Sequence, residues 1–285
     1  MTKTPIIILA GNAGSGKDTV GSYLVAKYGA VTVAQADPMK RFAAEVFGFS
    51  EEQLWGPSSS RNAPDEVTVG NRLAISHRFV AYTMRAWQEE LFGQVIPKHV
   101  DRDRAMSVLN HWFEALYHSL ENGIPVSPRL ALQTLGTEWG RRVSQNMWNE
   151  YATDTCLKLL AGGYRYSRIE GLVEDSARPG YDYAVVTDGR FRNEIVLTTT
   201  KGGVALRIIR ENPDKAAVEA GGIKGHASER ELDGIPPHFF TALVDNSGSL
   251  HDLYTVIDHA MVRLYPSSAE SRGRCPGMNA VRRSL

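Results

Sequence analysis

Short runs of consecutive apolar residues alternate along this chain with longer stretches in which apolar residues recur every three or four positions. The short runs predict buried strands of a parallel sheet, because helices cover such strands on both faces. Five of these runs occur, at positions 4–10, 30–34, 183–187, 204–209 and 241–244. Strands that alternate with helices indicate an α/β fold with a five-stranded, doubly wound parallel sheet and right-handed crossovers.

The helical patterns fall between these strands and near the end of the chain. Residues 17–28 follow the first strand, residues 42–47 follow the second, and residues 250–264 follow the last. A longer helical region runs from 128 to 160, and it begins with Pro128, a residue suited to the first helical turn.

The segment between the second strand and this long helical region predicts an insertion outside the sheet. Residues 54–62 are rich in Gly, Pro and Ser and predict a loop, whereas residues 73–92 and 104–120 have helical periodicity. We therefore expect one domain over residues 1–265, which carries a lid or helical insertion at 54–127.

Composition narrows the classes of function. The 285 residues include 32 Lys plus Arg and 32 Asp plus Glu, so no net charge attracts nucleic acid or an anionic membrane. No apolar stretch approaches the ~20 residues of a transmembrane helix, and we expect no signal peptide. Cys156 and Cys275 match no metal-site spacing, so we expect a reduced cytoplasmic compartment. The Ser-, Gly- and Arg-rich tail at 266–285 predicts disorder.

A glycine-rich loop between the first strand and the first helix predicts a phosphate-binding site. The loop begins at Gly11 and has the spacing G-x-x-x-x-G-K, which ends at Lys17. Backbone N–H groups in such a loop, together with the helix N-terminus, can surround a phosphate chain. Lys17 adds a cation toward the β- and γ-phosphates.

Asp18 occupies the position where a Ser or Thr hydroxyl normally contacts Mg²⁺ in such a loop. A carboxylate there can hold Mg²⁺ directly or through water, and Thr19 supplies a hydroxyl nearby. The residue is equally compatible with a first-turn acid that the helix dipole favours. The residues alone leave both interpretations open.

A second group of polar residues begins where the third apolar run ends, at Asp188. Arg190, Arg192 and Glu194 follow it. A planar guanidinium suits a nucleotide monophosphate, because two N–H groups can meet two phosphate oxygens. The alternative is a surface ion-pair cluster at a helix start. We favour a binding site, because these residues and Asp37 follow strands at the edge of the sheet that holds the glycine loop.

A third polar group lies within the long helical region. Gln133, Thr137 and Arg141 recur every four residues and form a polar stripe on the predicted helix. Gly136 and Gly140 have the same spacing and leave room for a close neighbour. That neighbour is either a nucleotide base or another helix, and the residues do not decide between them.

Six short motifs occur together in this chain. They are GKDT, ADPMKR, LWGPSSSRN, LQTLGTEWGR, TDGRFRNE and HASE, the last at 226–229. In this combination, from about residue 6 to residue 264, the chain resembles the deoxynucleoside monophosphate kinases of tailed phages. The resemblance implies a P-loop nucleoside monophosphate kinase-like fold. It also implies ATP- and Mg²⁺-dependent transfer of a phosphoryl group to a deoxynucleoside monophosphate (dNMP), which gives dNDP and ADP.

The resemblance implies roles for individual residues, and Asp18 in place of Ser or Thr becomes the family pattern for a metal contact. Basic side chains that family members can carry inside the loop are replaced here by Ala13 and Gly14. We predict Lys17 and Arg190 as catalytic residues, together with Arg61, which its place in the predicted loop makes our candidate for a lid cation. The implied ATP contacts are Gly11, Asn12, Ala13, Gly14, Ser15, Gly16, Lys17, Asp18 and Thr19. The expected dNMP contacts include the strand-end and helical residues described above. They are Asp37, Lys40, Arg129, Gln133, Thr134, Gly136, Trp148, Asp188, Arg190 and Glu194.

Two other functions share some of these features. A dephospho-coenzyme A kinase would use the same fold and loop, but its acceptor is a ribose hydroxyl, which has less need of Arg190. A nucleotide-dependent switch or nucleic-acid-associated ATPase would need an N-K-x-D motif or a basic face, and neither is evident. We therefore expect small-molecule substrates, no nucleic acid and no membrane, in the cytoplasm (the host's, if a phage encodes the chain). A homodimer and a monomer both stay open.

Overall fold

The computed structural model of this chain describes residues 4–88, 95–211 and 231–266. Three parts of the sequence predictions lie outside these ranges. They are the HASE motif, the last residues of the first long helix predicted in the insertion, and nearly all of the predicted tail.

The elements of the described ranges are labelled in chain order. The strands are β1 (Ile6–Ala10), β2 (Ala30–Val33), β3 (Tyr164–Ser167), β4 (Gly171–Glu174), β5 (Tyr183–Gly189), β6 (Val204–Ile209) and β7 (Ala242–Asp245). The α-helices are α1 (Lys17–Tyr28), α2 (Asp37–Phe47), α3 (Glu51–Trp55), α4 (Ser58–Asn62), α5 (Val67–Gly70), α6 (Arg72–Gln88), α7 (Arg102–Glu121), α8 (Pro128–Thr134), α9 (Met147–Ala161), α10 (Arg192–Thr200) and α11 (Leu250–Leu264). None of the helices in this described part is both long and apolar enough to cross a membrane.

Five of the strands form one parallel sheet in the order β2-β5-β1-β6-β7. The central strand, β1, pairs with β5 on one side, where Ile6 lies opposite Ala184, and with β6 on the other, where Ile7 lies opposite Val204. All five residues of β1 are buried, as expected for an apolar strand that is covered on both faces. The predicted α/β fold with a five-stranded, doubly wound parallel sheet is therefore confirmed.

Helices cover both faces of the sheet and create two cores. Ile6 and Ile8 of β1 pack in a core with residues of α2, α6, α7 and α9, whereas Ile7 and Leu9 pack with α1 and α11. This alternation follows the two-residue period of a strand. Full burial of one such side chain contributes about 1.5–3 kcal/mol, so α6 and α7 share in stabilising the sheet. The bounds of an insertion at 54–127 stay a prediction.

Two elements beside the glycine-loop edge differ from the sequence prediction. Helix α2 begins at Asp37 rather than at residue 42, because Pro38 fits the first turn of a helix. The loop predicted at 54–62 is wrong, since this segment contains the end of α3 and all of α4. Helix α3 starts at a capping box in which Ser50 accepts a hydrogen bond from the backbone N–H of Gln53.

The region predicted to be helical from 128 to 160 is helical over most of its length, but it is not one helix. Helix α8 passes into a π-helical turn, Leu135–Arg141, and α9 begins only at Met147 after a break. The π-helical turn carries the buried Trp139, whose indole donates a hydrogen bond to the Ala105 carbonyl of α7 at 2.9 Å. Turns of this kind often occur at functional sites.

The sequence did not predict the antiparallel hairpin of β3 and β4. Tyr164 lies opposite Glu174 and Ser167 lies opposite Gly171 in this hairpin. Its first strand alternates aromatic and polar residues, and all four of them are half-buried. Consecutive apolar residues are typical of strands that are covered on both faces. A surface hairpin of this kind lacks that pattern.

Candidate active site

The glycine loop joins the buried end of β1 to the start of α1. Gly14 and Gly16 have φ angles of 74° and 96°, a left-handed conformation that glycine adopts without strain. A side chain at Gly11 would place its Cβ 2.5 Å from Ser15 Oγ and 2.7 Å from the Ile208 carbonyl oxygen, so only glycine fits there. The loop is therefore closed tightly on itself at the N-terminus of a helix, where anions bind.

Two polar groups inside the loop suit an anionic ligand. Lys17 Nζ donates hydrogen bonds to the carbonyl oxygens of Gly11 and Asn12, at 2.7 and 2.9 Å. The Ser15 hydroxyl is buried, and among the described residues it has no hydrogen-bond partner. A buried hydroxyl without a partner costs free energy, which a phosphate oxygen would recover.

Residues that the sequence analysis did not select hold this loop from outside. Asn246, which follows β7, donates from its side chain to the Ser15 carbonyl at 2.8 Å. Asn12 donates to Asp233 at 3.0 Å. A Cβ on Gly16 would lie 2.3 Å from Asn246 Nδ2. The Asn246 side chain therefore occupies space that any side chain at position 16 would need. These contacts join parts of the chain more than 200 residues apart, and no local pattern reveals them.

Asp18 lies in the first turn of α1 and is exposed, and Thr19 beside it is half-buried. This placement suits a metal contact above the loop and also suits a favourable interaction with the helix dipole. Both interpretations of the sequence therefore stay open in the structure.

Asp188 lies near the end of β5, next to β1 in the sheet. It belongs to the part of the site where the dNMP, the phosphate acceptor, is expected, and we call the turns after β5 and β2 the acceptor side. Its two carboxylate oxygens accept hydrogen bonds from the backbone N–H groups of Gln35 and Ala36, at 2.9 and 3.0 Å. Burial raises the pKa of Asp188, while these two hydrogen bonds and the nearby Arg190 oppose that shift. Asp188 thus fixes the turn between β2 and α2.

Glu194 is buried rather than placed in a surface ion-pair cluster. Its Oε2 accepts hydrogen bonds from the backbone N–H groups of Arg190 and Phe191, at 2.8 and 3.0 Å, at the start of α10. Burial raises the pKa of Glu194 to about 7, against these hydrogen bonds. The carboxyl group therefore shapes the turn that presents the exposed Arg190.

Arg61, at the end of α4, lies within electrostatic range of both sides of the site. Burial lowers the pKa of Arg61 most, the charge of Arg190 lowers it further, and the charge of Asp18 raises it. A residue of the phosphate loop and a residue of the acceptor side thus both act electrostatically on this residue of the predicted lid. The sequence assigned these three residues to separate motifs.

Lys40 and Asp37 lie in the first turns of α2. Burial lowers the pKa of Lys40, whereas the charges of Asp37 and Asp188 raise it. The Asp37 carboxylate is itself buried and accepts hydrogen bonds from Trp55 Nε1 at 3.1 Å and from the Tyr166 hydroxyl at 2.8 Å. Asp37 therefore influences the site mainly because its charge stabilises the Lys40 ammonium. Its carboxylate is not exposed, so the structure gives no support to the prediction that Asp37 contacts the dNMP directly.

The π-helical turn and α9 close the acceptor side. A Cβ on Gly140 would lie 2.3 Å from the Trp148 ring, and one on Gly136 would lie 3.2 Å from Met39 Sδ. The close neighbours of the two glycines in the structure are therefore side chains of other helices, Trp148 of α9 and Met39 of α2. Arg141 also packs its guanidinium 3.7 Å from the centre of the Phe191 ring, which joins this turn to the acceptor side.

Four other predicted dNMP contacts lie in this region: two have polar groups that bond to the protein, and two are half-buried. Trp148 is buried and donates to the Gly136 carbonyl at 3.0 Å, and the Thr134 hydroxyl accepts from Trp112 at 2.9 Å. Arg129 and Gln133 are half-buried. Their role as nucleotide contacts stays a prediction.

Comparison with known proteins decides the family. A family model described as deoxynucleotide monophosphate kinase matches residues 5–257, which is most of the chain. The chain belongs to the deoxynucleotide monophosphate kinase family. The deoxynucleotide monophosphate kinase of Enterobacteria phage T4 is 21% identical over 266 residues, which cover 90% of this chain and 98% of that one. The enzyme of the same name from Escherichia phage RB69 is 23% identical over 269 residues, which cover 89% and 98%.

Two further likenesses are weaker. A protein of Acanthamoeba polyphaga mimivirus is 39% identical over 65 residues, which cover only 23% of this chain and 34% of that protein. A protein of known crystal structure from Thermus thermophilus is 14% identical, with a TM-score of 0.32, over 92% of this chain and 99% of that one. The family assignment rests on the family model and the two phage enzymes.

Family membership confirms the resemblance that the six motifs indicated. It also confirms that the chain is an enzyme, a kinase that acts on deoxynucleoside monophosphates, rather than a switch or a nucleic-acid-associated ATPase. Membership of this family does not by itself assign roles to individual residues.

Proposed function

We propose that this kinase transfers the γ-phosphoryl group of ATP, with Mg²⁺, to a dNMP across the gap between the glycine loop and the turn after β5. One observation carries the proposal: the glycine loop after β1 and the turn that carries Arg190 after β5 follow neighbouring strands of the sheet, and the charges of Arg190 and Asp18 both act on Arg61 of α4. Phosphoryl transfer needs little covalent chemistry from a protein and depends on positioning and on stabilising charge. A site that gathers cations between two phosphate positions suits that reaction.

ATP is proposed to occupy the loop from Gly11 to Thr19. The left-handed glycines, the tight closure at Gly11 and the buried Ser15 hydroxyl all suit a phosphate chain that lies close to the backbone. Lys17 would exchange its hydrogen bonds to loop carbonyls for bonds to the β- and γ-phosphates. Such an exchange stabilises charge that develops in the transition state.

The donor set at the start of α1 fits Mg²⁺. This ion commonly takes one or two carboxylates and completes its shell with phosphate oxygens and water, and Asp18 with Thr19 provides such a set. When bound, Mg²⁺ supplies charge neutralisation between the β- and γ-phosphates. Asp18 and Thr19 would hold it on the exposed side of the loop.

The acceptor phosphate is proposed to bind Arg190 and Lys40. Arg190 offers two parallel N–H groups to two phosphate oxygens, and Glu194 holds the backbone from which it extends. Arg61 would draw closer to the transferring group when both nucleotides are bound, and it would help to exclude water. The further contacts proposed with the nucleoside are Arg129, Gln133, Thr134, Gly136, Trp148 and Asp188.

The substrates are therefore small molecules, and we place the reaction in the cytoplasm, where ATP and dNMP pools meet. Release of ADP measured with each dNMP in turn, with ribonucleoside monophosphates and with dephospho-coenzyme A tests the proposal. We expect ADP release that depends on a dNMP and on Mg²⁺.

The matched control is Lys17→Ala, which should remain folded and lose roughly 10²-fold or more in kcat, because a cation of the transition state is removed. Turnover with dephospho-coenzyme A in place of dNMP, or near-normal turnover in a folded Lys17→Ala protein, would contradict the proposal.

A further inference from the structure

The buried Asp37 carboxylate connects three parts of the chain that are far apart in sequence. Asp37 begins α2, and its Oδ1 accepts a hydrogen bond from Trp55 Nε1, at the end of α3. Its Oδ2 accepts one from the hydroxyl of Tyr166, in the hairpin strand β3. Both donors are neutral, so they fix the carboxylate without cancelling its charge.

That charge acts on Lys40, which lies one turn further along α2. Burial lowers the pKa of Lys40 most; among the described residues, the charges of Asp37 and Asp188 raise it, whereas those of Arg61 and Arg168 lower it further. The Lys40 ammonium also lies 5.4 Å from the centre of the Trp55 ring, within the range of a cation–π interaction. Asp37, through its charge, and Trp55, through its ring, therefore both stabilise this half-buried cation.

The hairpin is fixed to the same place by independent contacts. Arg41 of α2 donates to the Arg168 carbonyl, in the hairpin turn, and to the Tyr151 hydroxyl, each at 3.1 Å. The Arg168 guanidinium lies 5.7 Å from the centre of the Trp55 ring. The hairpin thus reaches the acceptor side through Tyr166 and through its turn.

We infer that Tyr166 and Trp55 are positioning residues for the acceptor nucleotide, and that they act by holding Asp37 as the fixed counter-charge of Lys40. The inference rests on the proposed function, in which Lys40 contacts the acceptor phosphate. It gives the β3–β4 hairpin a role in the reaction. It also ties the segment that carries Arg61 to the acceptor side, because α4 begins three residues after Trp55.

A purely structural brace is the alternative, and the two ideas predict different measurements. A brace would affect the stability of the fold and leave substrate affinity unchanged. A positioning residue affects the KM for dNMP and leaves ATP binding unchanged, because the glycine loop is held by other residues, Asn246 and Asp233.

The test is Tyr166→Phe, which removes one hydroxyl and keeps the ring. The matched control is Tyr164→Phe, on the same strand, whose ring lies beside Lys158 of α9. We expect the KM for dNMP to rise about three- to tenfold in Tyr166→Phe, as one hydrogen bond to a buried charge is lost. The KM for ATP should stay the same, and Tyr164→Phe should behave as the wild type.

A pH profile adds a readout that a structural brace would not change. Asp37→Asn removes a charge that raises the pKa of Lys40, so Lys40 should lose its proton at lower pH. The alkaline limb of kcat/KM for dNMP should therefore move to lower pH in Asp37→Asn, whereas Tyr164→Phe should leave it in place.

An unchanged KM for dNMP in folded Tyr166→Phe would overturn the inference, as would an equal change in Tyr164→Phe. If Tyr166→Phe does not fold, Trp55→Phe, which removes the other donor to Asp37, is measured in the same way and decides. The proposed function fails by a different result: wild-type protein that releases no ADP with any dNMP.

Discussion

At the scale of single residues, the charged groups of the site fall into two kinds. Arg190 and Asp18 are exposed, whereas Asp188 is half-buried, Glu194 and Asp37 are buried, and all three of these carboxylates accept hydrogen bonds from the protein. The sequence shows all of them only as charged residues that follow a strand, in the loop or the first helical turn after it. Burial separates them, because a buried carboxylate must be satisfied by donors around it.

Asp18→Asn separates the two interpretations of the first acid in α1. If the carboxylate helps to hold Mg²⁺, the Mg²⁺ concentration that gives half-maximal rate should rise in the variant, because the shape is kept and the charge is lost. A titration of rate against Mg²⁺ measures this. If the residue serves only the helix dipole, the titration is unchanged and stability falls by about 0.3–1 kcal/mol.

Glu194→Gln tests the buried carboxyl group through the pH dependence of stability. The pKa of Glu194 is raised to about 7 in the folded protein, whereas an unfolded Glu titrates near its ordinary value of about 4.3. Between these values the folded state binds more protons, so this group makes stability fall as pH rises from about 4.5 to about 7. Gln does not titrate, and the variant should lose that part of the slope.

Denaturant unfolding at several pH values between 5 and 8 measures the slope. Glu138→Gln, at an exposed position of the π-helical turn, is the matched control and should keep the wild-type slope. An unchanged slope in Glu194→Gln would show that this carboxyl group does not titrate in the range stated.

At the scale of elements, the sequence predicts what local pattern controls. The strand Ile6–Ala10 and the glycine loop after it follow from an apolar run and a fixed spacing, and both are found. The hairpin strand Tyr164–Ser167 and the brace from Asn246 depend on contacts between distant segments, so no window of sequence contains them. The start of α2 at Asp37 lies five residues before the predicted helical stretch, because the apolar periodicity begins only at residue 42 whereas Pro38 already fits the first turn.

Gly140→Ala tests the packing of the π-helical turn against α9. A Cβ at this position would lie 2.3 Å from the Trp148 ring, so the ring must move, and overpacking of this kind costs about 1–3 kcal/mol. Thermal unfolding should show a lower Tm. Gly70→Ala, in α5, is the matched control, because a Cβ there meets nothing within 4 Å and the change should be neutral or slightly stabilising.

An unchanged Tm in Gly140→Ala, with a raised KM for dNMP, would contradict this account. That result would instead favour the interpretation in which Gly140 makes room for a nucleotide base.

At the scale of the whole molecule, the order β2-β5-β1-β6-β7 places the loop after β1 beside the turn after β5. Two phosphate sites at neighbouring strand ends are what transfer between two nucleotides requires, and ligands of such sheets bind at this edge. Arg61 belongs to α4, which follows β2 in the chain, and besides burial the charges of Arg190 and Asp18 act on its pKa. The central claim is therefore that Arg190 holds the acceptor phosphate and the glycine loop holds ATP.

The most direct test of this claim is Arg190→Lys, which keeps the charge and loses the planar pair of N–H groups. Arg192→Lys is the matched control, because Arg192 is exposed two residues away and packs on the Phe239 ring. Steady-state kinetics for dNMP and calorimetry of ATP binding without acceptor are the measurements. Loss of a charge-assisted hydrogen bond of about 1.5–3 kcal/mol predicts that kcat/KM for dNMP falls about ten- to a hundredfold.

ATP affinity should barely change in Arg190→Lys, and Arg192→Lys should match the wild type in both measurements. If kcat/KM for dNMP stays intact in Arg190→Lys, or if ATP affinity falls as far as kcat/KM does, Arg190 does not hold the acceptor phosphate.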